Sequence, residues 1–392
     1  MPPIIIYITG FRQHAGKTVV CLGLLSMLSR IIQPERLGYI KPVGQELVTL
    51  ANGIKVDKDV KIIEKFGNIP DLNMKYISPV RLGSGFTKDF LNSPEIITEI
   101  RRLQDLVIES MDVLSTKDII IAEGTGHPGV GSIVGLSNAK VANLIGAEII
   151  FIAEGGIGKA LDTLEVDLSY FLYKKSRVRG IIFNRLIPDK IPTVKQYITE
   201  KLLNERFGSI GGPLQILGFF PQVDALSNPP MRVISDFFKD AGVIGNIEDP
   251  AWTIPCGSIV VITLPDERFS PAEHINPGCV VIIAACSTYR IKKIIEYNTV
   301  LKREYDRGMG GFIFTCGEDD SLDDYISELL EEHSIPGLLM TKDSATAEAD
   351  LLKAYENTKL QVFDNIKIHE IEKLFTNYFD MQKFLDSFHI KV

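Results

Sequence analysis

The 392-residue sequence contains little cysteine, and its cysteines show no pattern of pairing. A structural zinc site or a disulfide framework requires cysteines at regular spacing, and no Cys-x-x-Cys pair occurs here. The sequence therefore predicts neither, and we expect a reducing compartment. The five cysteines are Cys21, Cys256, Cys279, Cys286 and Cys316.

Long hydrophobic runs and an excess of basic residues are also missing. The longest apolar stretches, such as residues 279–286, fall far short of the roughly 18 residues of a membrane-spanning helix. The apolar start at residues 4–8 has no basic segment before it, unlike a signal peptide. We therefore expect a cytoplasmic protein without a membrane partner. With 42 basic and 50 acidic residues the net charge is −8, so nucleic acid is not an expected partner either.

What the sequence does contain is an alternation of short apolar runs with longer amphipathic stretches. This pattern predicts parallel strands covered on both faces by helices. Helices are expected at residues 18–31 and 96–114. The predicted strands of the first half are Ile4–Thr9, Leu37–Ile40, Ile119–Ala122, Ile149–Ile152, Val178–Phe183 and Ile216–Phe220.

A second alternating block follows a segment rich in turn-forming residues. We predict an α/β domain over residues 1–228, a linker at 229–257 and a smaller α/β domain at 258–392. A final helical stretch is expected at about 368–388. The predicted strands of the second block are Ser258–Thr263, Cys279–Ala284, Gly311–Thr315 and Gly337–Met340, and its helices are Arg290–Tyr305 and Leu322–His333.

The most specific motif is the string from Gly10 to Thr18, which matches GxxxxGKT. It lies between a predicted strand and a predicted helix, so its backbone N–H groups can surround a phosphate at a helix N-terminus. The Lys17 ammonium would contact the β- and γ-phosphates, and the Thr18 hydroxyl would bind Mg²⁺. The predicted ATP-binding residues of this segment are Gly10, Ala15, Gly16, Lys17, Thr18 and Val19.

Arg12 lies inside the same loop. It is either a solvated loop charge or a catalytic residue that contacts the γ-phosphate, in its own subunit or in a neighbouring one. A variant without this arginine separates the two, since a catalytic arginine affects turnover more than binding.

Three carboxylates are candidate magnesium ligands. Glu123 ends the strand at Ile119, where it would hold Mg²⁺ directly or through water, and a loop acid is the alternative. Asp57 and Asp59 are further magnesium candidates, although helix-capping acids are equally consistent with the sequence. The pattern does not decide which of the two would reach the ion.

Two more polar segments end predicted strands. Lys41 follows the second strand and would stabilise charge on a transferring phosphoryl group. Asn184, followed by Arg185, would present its amide to the base of the nucleotide. A guanine-reading motif needs an aspartate three positions after Asn184, and Ile187 stands there. Adenine is therefore the expected base.

These elements occur in the same order in a known family. The glycine loop, Lys41-Pro42-Val43, Glu123-Gly124 and Asn184-Arg185 resemble dethiobiotin synthetase. The wider match resembles the N-terminal region of long phosphotransacetylases, where a DRTGG domain follows the synthetase-like part. The resemblance implies a P-loop ATPase fold with Lys17, Thr18 and Glu123 at Mg-ATP, Lys41 at the transferred phosphoryl group and Asn184 near adenine. It also implies a homodimer.

Two functions are compatible with these expectations. The first is an ATP-dependent ligase-type enzyme that phosphorylates a carboxylate or carbamate of a small molecule, with a carboxylate or amine as its substrate. The second is an ATP-responsive regulatory protein that acts on a protein partner. The second domain, which dethiobiotin synthetase lacks, keeps the regulatory alternative open.

Overall fold

The computed structural model describes residues 2–208, 212–317 and 322–391. The chain divides into two compact units. The first comprises Met1–Gln222 together with Ile371–Val392, and the second comprises Val223–Glu370. The sequence instead predicted boundaries at residues 228 and 258.

The strands are β1 (Ile4–Gly10), β2 (Leu37–Ile40), β3 (Val43–Gly44), β4 (Leu47–Thr49), β5 (Lys55–Asp57), β6 (Val80–Arg81), β7 (Ile119–Glu123), β8 (Glu148–Ala153), β9 (Arg177–Leu186), β10 (Gln215–Pro221), β11 (Gly242–Ile244), β12 (Ile259–Val261), β13 (Val280–Ala284), β14 (Gly311–Thr315) and β15 (Gly337–Leu339). Every strand predicted from the sequence is present, with ends that differ by up to three residues.

The α-helices are α1 (Lys17–Leu28), α2 (Lys58–Phe66), α3 (Met74–Ile77), α4 (Phe86–Leu91), α5 (Ile96–Leu114), α6 (Asn138–Leu144), α7 (Gly158–Tyr173), α8 (Ile191–Tyr197), α9 (Glu200–Phe207), α10 (Asp224–Ser227), α11 (Met231–Phe237), α12 (Pro271–His274), α13 (Thr288–Tyr305), α14 (Asp324–Glu332), α15 (Ser344–Glu356), α16 (Asn365–Tyr378) and α17 (Met381–Ser387). Short 3₁₀ helices lie at Pro34–Arg36, Ser132–Val134, Pro188–Lys190, Pro250–Thr253 and Asp266–Arg268.

The first unit is built on a parallel sheet with the strand order β10-β9-β8-β1-β7-β2. Its strands are apolar along their length because helices cover both faces of a parallel sheet. Ile8 pairs with Glu123 and Ile40 pairs with Ala122. The carboxyl ends of β1, β2 and β7 therefore meet at one edge of the sheet, which is where ligands bind in open α/β folds.

The C-terminal segment belongs to this first unit. A Cβ atom on Gly23 of α1 would lie 2.1 Å from the ring of Phe375, so the absence of a side chain allows the ring to pack there. The sequence predicted one helix at about 368–388, but the structure has two helices in this segment. The chain breaks between α16 and α17, where the Asp380 carboxylate accepts a hydrogen bond from Lys383 N at 2.9 Å and caps the second helix.

The second unit is built on the strand order β11-β15-β14-β13-β12, in which β11 is antiparallel and the other pairs are parallel. The linker predicted at 229–257 is wrong. This segment contains α11 and β11, and its Trp252 is buried in the core at 1% exposure. Turn-forming residues at 228–230 and 242–250 separate short elements here rather than two domains.

The α/β fold class with mostly parallel sheets is confirmed for both units. Among the described residues, no helix combines the length and the apolar character needed to cross a membrane.

Candidate functional site

The glycine-rich loop connects β1 to α1 at the carboxyl edge of the first sheet. Gly16 has φ +100°, a left-handed conformation that glycine adopts without strain, and it immediately precedes the first helical residue. The first turn of α1 contains no acidic residue. The N-terminus of this helix therefore presents free backbone N–H groups and the positive end of its dipole, as a phosphate-binding loop requires.

Lys17 is the first residue of α1 and its side chain is turned back over the loop. Its Nζ donates a hydrogen bond to the carbonyl oxygen of Arg12 at 3.0 Å. Burial, and then the positive charge of Lys41, lower the pKa of Lys17 to about 8. A cation that is costly to keep charged here gains most from a nearby anion such as a phosphate.

Glu123 ends β7 and is fully buried, at 0% exposure. Its Oε1 accepts a hydrogen bond from the Thr18 hydroxyl at 2.9 Å, and its Oε2 accepts one from the Tyr39 hydroxyl at 2.8 Å. The structure thus brings together the P-loop threonine and the acid that the sequence predicted as magnesium ligands.

Lys41 follows β2 and points into the same cluster. Its Nζ lies 2.6 Å from Asp59 Oδ2 and 2.9 Å from Glu123 Oε1, with the carbonyl oxygen of Gly124 at 3.4 Å. Burial alone would lower the pKa of Lys41, but the charges of Asp59 and Glu123 outweigh it and raise that pKa well above its usual value. Lys41 is therefore a permanent cation beside Thr18 and Lys17.

Two carboxylates share this single ammonium, and their pKa values move apart. Burial raises the pKa of Glu123 to about 7 despite the charge of Lys41. Burial also acts to raise the pKa of Asp59, but Lys41 outweighs it and lowers that pKa to about 2. Such a divergence is typical of two acids that compete for one cation.

Asp57 has a different position from Asp59. Its Oδ1 accepts a hydrogen bond from Asp59 N at 3.0 Å, and its Oδ2 accepts hydrogen bonds from Gln45 N at 2.9 Å and Glu46 N at 3.2 Å. Asp57 thereby caps α2 and fixes the preceding loop, which is the alternative that the sequence left open. Asp59, and not Asp57, lies in the Lys41 cluster.

Asn184 lies near the end of β9 and contacts the glycine-rich loop. Its Nδ2 donates to the carbonyl oxygen of Ala15 at 2.8 Å, and its Oδ1 accepts from Arg185 N at 2.9 Å. A Cβ atom on Gly16 would lie 2.5 Å from the same Nδ2. Asn184 therefore supports the loop, a contact that the sequence did not predict.

A cavity of about 700 Å³ opens along the ends of β1, β8, β9 and β10. Strands β2 and β7, which position Lys41 and Glu123, lie on the other side of the glycine-rich loop. Its lining includes Ala15, Asn184, Arg185 and Arg12, whose guanidinium lies 5.0 Å from the centre of the Phe11 ring. A cavity of this size lies within the range of small-molecule sites.

Several other contacts around the site carried no signal in the sequence. Tyr39 lies inside a predicted strand, and nothing marks its hydroxyl as a partner of Glu123. Tyr7 of β1 contacts Asn138, the first residue of α6, and the Tyr7 hydroxyl donates to Asn138 Oδ1 at 2.9 Å. Asn138 Nδ2 also donates to the carbonyl oxygens of Thr125 and His127, at 2.8 and 2.6 Å, and so fixes the turn after Glu123.

The donor set fits a magnesium ion held mainly by a nucleotide. In the part of the chain that the structure describes, no group of three or more His, Cys, Asp or Glu residues could hold a metal by itself. Mg²⁺ commonly takes only one or two protein ligands together with phosphate and water. The Thr18 hydroxyl and the Glu123 carboxylate, hydrogen-bonded to each other, supply such a pair.

Solved structures that resemble the chain have low scores. The MinC:MinD cell division protein complex of Aquifex aeolicus matches with a TM-score of 0.34 and 13% identity over 57% of this chain and 83% of that chain. MinD cell division protein of the same organism matches with a TM-score of 0.34 and 11% identity, over 57% and 84%.

A third structure contains the CBS and DRTGG domains of the regulatory region of Clostridium perfringens pyrophosphatase, complexed with the activator diadenosine tetraphosphate. It matches with a TM-score of 0.27 and 17% identity, over 39% of this chain and 62% of that chain. At TM-scores below 0.5 these likenesses carry no argument about function.

The family comparison is more specific and agrees with the geometry of the loop. The model of the AAA domain family AAA_26 matches residues 5–230, which is more than half of the chain. The matched range includes the glycine-rich loop, Lys41, Glu123 and Asn184. The chain therefore belongs to this dethiobiotin synthetase-like family of P-loop domains.

Proposed function

We propose that this protein binds Mg-ATP at its P-loop and phosphorylates a carboxylate or carbamate of a small molecule in a ligase-type reaction. One observation carries the proposal: a second buried cation, Lys41, shares the carboxylate of Glu123 with the P-loop hydroxyl of Thr18. Phosphoryl transfer depends mainly on positioning and on cations around the transferred group.

In this reaction an oxygen of the substrate anion attacks the γ-phosphorus, and the bond from that phosphorus to the bridging oxygen of ADP breaks. The P-loop amides and Lys17 hold the β- and γ-phosphates. Lys41 neutralises the charge of the transferred group and of the incoming anion. Thr18 and Glu123 would hold a Mg²⁺ ion that arrives with the nucleotide, and that ion would supply further charge neutralisation. An amine then displaces phosphate from the acyl phosphate.

Isotope transfer is the most direct test. The purified chain is incubated with Mg-ATP and a panel of small molecules. The carboxylic acids of the panel carry ¹⁸O in the carboxyl group, and the amines are supplied together with ¹⁸O-labelled bicarbonate. Phosphate that acquires ¹⁸O only when a panel member stimulates ATP turnover supports the proposal. If no small molecule stimulates turnover or transfers label, the ligase reaction is rejected.

Two lysine variants make the test specific. Lys17→Ala should abolish nucleotide binding and turnover, whereas Lys41→Ala should lower turnover at least a hundredfold while nucleotide still binds. Lys88→Ala removes an exposed lysine of the same unit and serves as the matched control with unchanged turnover. Equal turnover in the Lys41→Ala variant and the wild type would contradict the role given to Lys41.

The second candidate is an ATP-responsive regulatory protein. It is favoured by the pairing of Lys41 with two carboxylates, because this ammonium would have to exchange partners before it could contact a phosphate. In that case ATP should change hydrogen exchange at residues 39–41, 57–59 and 123–127 in the absence of turnover, and a protein partner alone should stimulate hydrolysis. The same exchange pattern with and without ATP would exclude it.

The proposal also includes a contact of Arg12 with the γ-phosphate, adenine as the base and a homodimer. An Arg12→Ala variant should lower ATP turnover more than ATP binding if the guanidinium reaches the γ-phosphate. Sedimentation with and without Mg-ATP tests the homodimer. Mixing the Arg12→Ala chain with the Lys17→Ala chain tests whether Arg12 acts in the neighbouring subunit, since turnover should then return in the mixture.

A further inference from the structure

A second cavity of the first unit lies between the segment that follows α3 and the long helix α5. Its volume is about 270 Å³. Apolar side chains, among them Val80, Leu103 and Leu106, form part of its lining, and basic side chains form another part. Its lining shares no residue with the cavity beside the glycine-rich loop.

The basic residues of this cavity are Lys75, Arg81 and Arg102. Arg102 is already neutralised, since its guanidinium donates two hydrogen bonds to the Glu99 carboxylate, at 2.9 and 2.6 Å. Lys75 and Arg81 differ from it: within residues 2–208, 212–317 and 322–391 no carboxylate lies at ion-pair distance from either one. Two positive charges of the cavity are therefore left without a counter-charge.

Arg81 is held in place by the backbone. Its Nε donates to the carbonyl oxygen of Ser78 at 2.9 Å and its Nη2 donates to that of Lys75 at 3.4 Å, which fixes the guanidinium plane and leaves the remaining N–H groups for a ligand. Burial lowers the pKa of Arg81, and no neighbouring charge contributes to that shift. A partly buried arginine with no counter-ion gains most from an anion that enters the cavity.

The wall that carries Arg81 is hydrogen-bonded to the segment that carries Lys41. Lys41 N donates to the carbonyl oxygen of Ile77 at 2.8 Å, and β6 pairs with β3 through Val80↔Val43. One wall of the cavity is thus joined by backbone hydrogen bonds to the segment that follows β2.

We propose that this cavity is a binding site for a small amphipathic carboxylate, whose head pairs with Arg81 and Lys75 and whose short aliphatic body packs on Val80, Leu103 and Leu106. The volume is below the roughly 300–1,000 Å³ of sites for drug-sized ligands, so the ligand is small. Glu109 also lines the cavity, about 10 Å along α5 from Arg102. This acid repels a carboxylate head from its own end and so fixes the orientation of the ligand.

The site goes beyond the proposed function because it needs neither ATP nor turnover. The probe is hexanoate, titrated into the full chain without nucleotide and followed by isothermal calorimetry and by NMR of the methyl groups. Saturable binding of hexanoate is expected, with at least tenfold weaker binding of hexylammonium, which has the same body and the opposite charge. Absence of saturable hexanoate binding, or equal binding of hexylammonium, overturns the proposal.

Variants locate the binding on the protein. Arg81→Gln should weaken hexanoate binding at least tenfold, and Leu106→Trp, which fills the cavity, should abolish it. Arg101→Gln removes the exposed neighbour of Arg102 on α5, which does not line the cavity, and should change the affinity less than twofold. Unchanged binding in both Arg81→Gln and Leu106→Trp, or equal loss in Arg101→Gln, overturns the assignment.

Two controls separate this proposal from others. The variants Arg81→Gln, Leu106→Trp and Arg101→Gln are first checked for cooperative unfolding and unchanged nucleotide affinity, and Lys17→Ala for cooperative unfolding alone, so a misfolded chain is not counted. Lys17→Ala should retain hexanoate binding, because that lysine lies outside this cavity. Loss of hexanoate binding in Lys17→Ala would place the carboxylate at the P-loop instead and would overturn the separate site, whereas failure of the ATP experiments leaves the hexanoate result unaffected.

Discussion

Lys41 Nζ lies 2.9 Å from Glu123 Oε1 in the interior of the first unit, and the two side chains are only 3% and 0% exposed. The pair joins the carboxyl ends of two neighbouring strands, β2 and β7. Neither charge has enough contact with water to be stable alone, so each depends on the other. The Thr18 hydroxyl donates to the same oxygen of Glu123, which connects this pair to the P-loop.

Replacement of Lys41 by methionine should therefore destabilise the first unit by about 3–5 kcal/mol, because Glu123 and Asp59 lose their common cation while Glu123 stays buried. Denaturant unfolding at pH 7 measures the change. Lys88→Met, a substitution at an exposed lysine, should stay within about 0.5 kcal/mol of the wild type. A loss below about 1 kcal/mol for Lys41→Met would show that the cluster is hydrated in solution.

Binding of ATP should take up protons at pH 8. The pKa of Lys17 is about 8 in the unliganded chain, so roughly half of the Lys17 side chains are neutral at that pH. A phosphate favours the charged form and raises this pKa, which gives an uptake of about half a proton per site.

Calorimetric titration in buffers of different ionisation enthalpy measures this uptake. The contribution of Lys17 should nearly vanish at pH 6.5, where the side chain is already protonated. An enthalpy of binding that does not depend on the buffer at pH 8 would be inconsistent with a depressed pKa at Lys17.

Substitution of Asn184 by alanine tests its two roles. If the side chain mainly supports the loop through the carbonyl oxygen of Ala15, the variant should lose affinity for ATP and GTP by the same factor, about fivefold to tenfold for one hydrogen bond. If it reads adenine, as the sequence predicted, ATP affinity should fall and GTP affinity should not. Fluorescence titration with both nucleotides gives the ratio.

Asp167 should make the first unit less stable as pH rises from about 4 to about 7. Its Oδ2 is buried, and among the described residues no group hydrogen-bonds to it. Burial raises the pKa of Asp167 to about 7, so over this interval the folded chain holds a proton that the unfolded chain has lost. Stability is therefore highest below the unfolded pKa and falls as pH increases.

The Asp167→Asn variant should be more stable than the wild type at pH 8 and should show a smaller fall between pH 4 and 7. Thermal unfolding across this range, with the exposed Asp162→Asn as the matched control, measures both effects. Identical pH profiles for Asp167→Asn and the wild type would show that Asp167 is solvated in the folded chain.

Much of the first unit could be predicted because its signals are local. The apolar runs at β1 and β7 and the string from Gly10 to Thr18 each identify an element from a few consecutive residues. The positions of Lys41 and Glu123 at one sheet edge followed from strand ends alone, since parallel strands meet there. The prediction of a linker at 229–257 was wrong because a turn-rich composition does not reveal whether short elements pack into a core. Trp252 of this segment is buried in such a core.

By itself, then, the sequence determined a parallel α/β fold, a P-loop at the end of its first strand and the acid and lysine that accompany it. Only the tertiary structure decided which groups touch: that Asp59 rather than Asp57 meets Lys41, that Tyr39 donates to Glu123, and that Phe375 of α16 packs against Gly23. The physical reason is that these contacts join residues far apart in the chain. Their geometry is set by how whole strands and helices pack, and no local pattern encodes it.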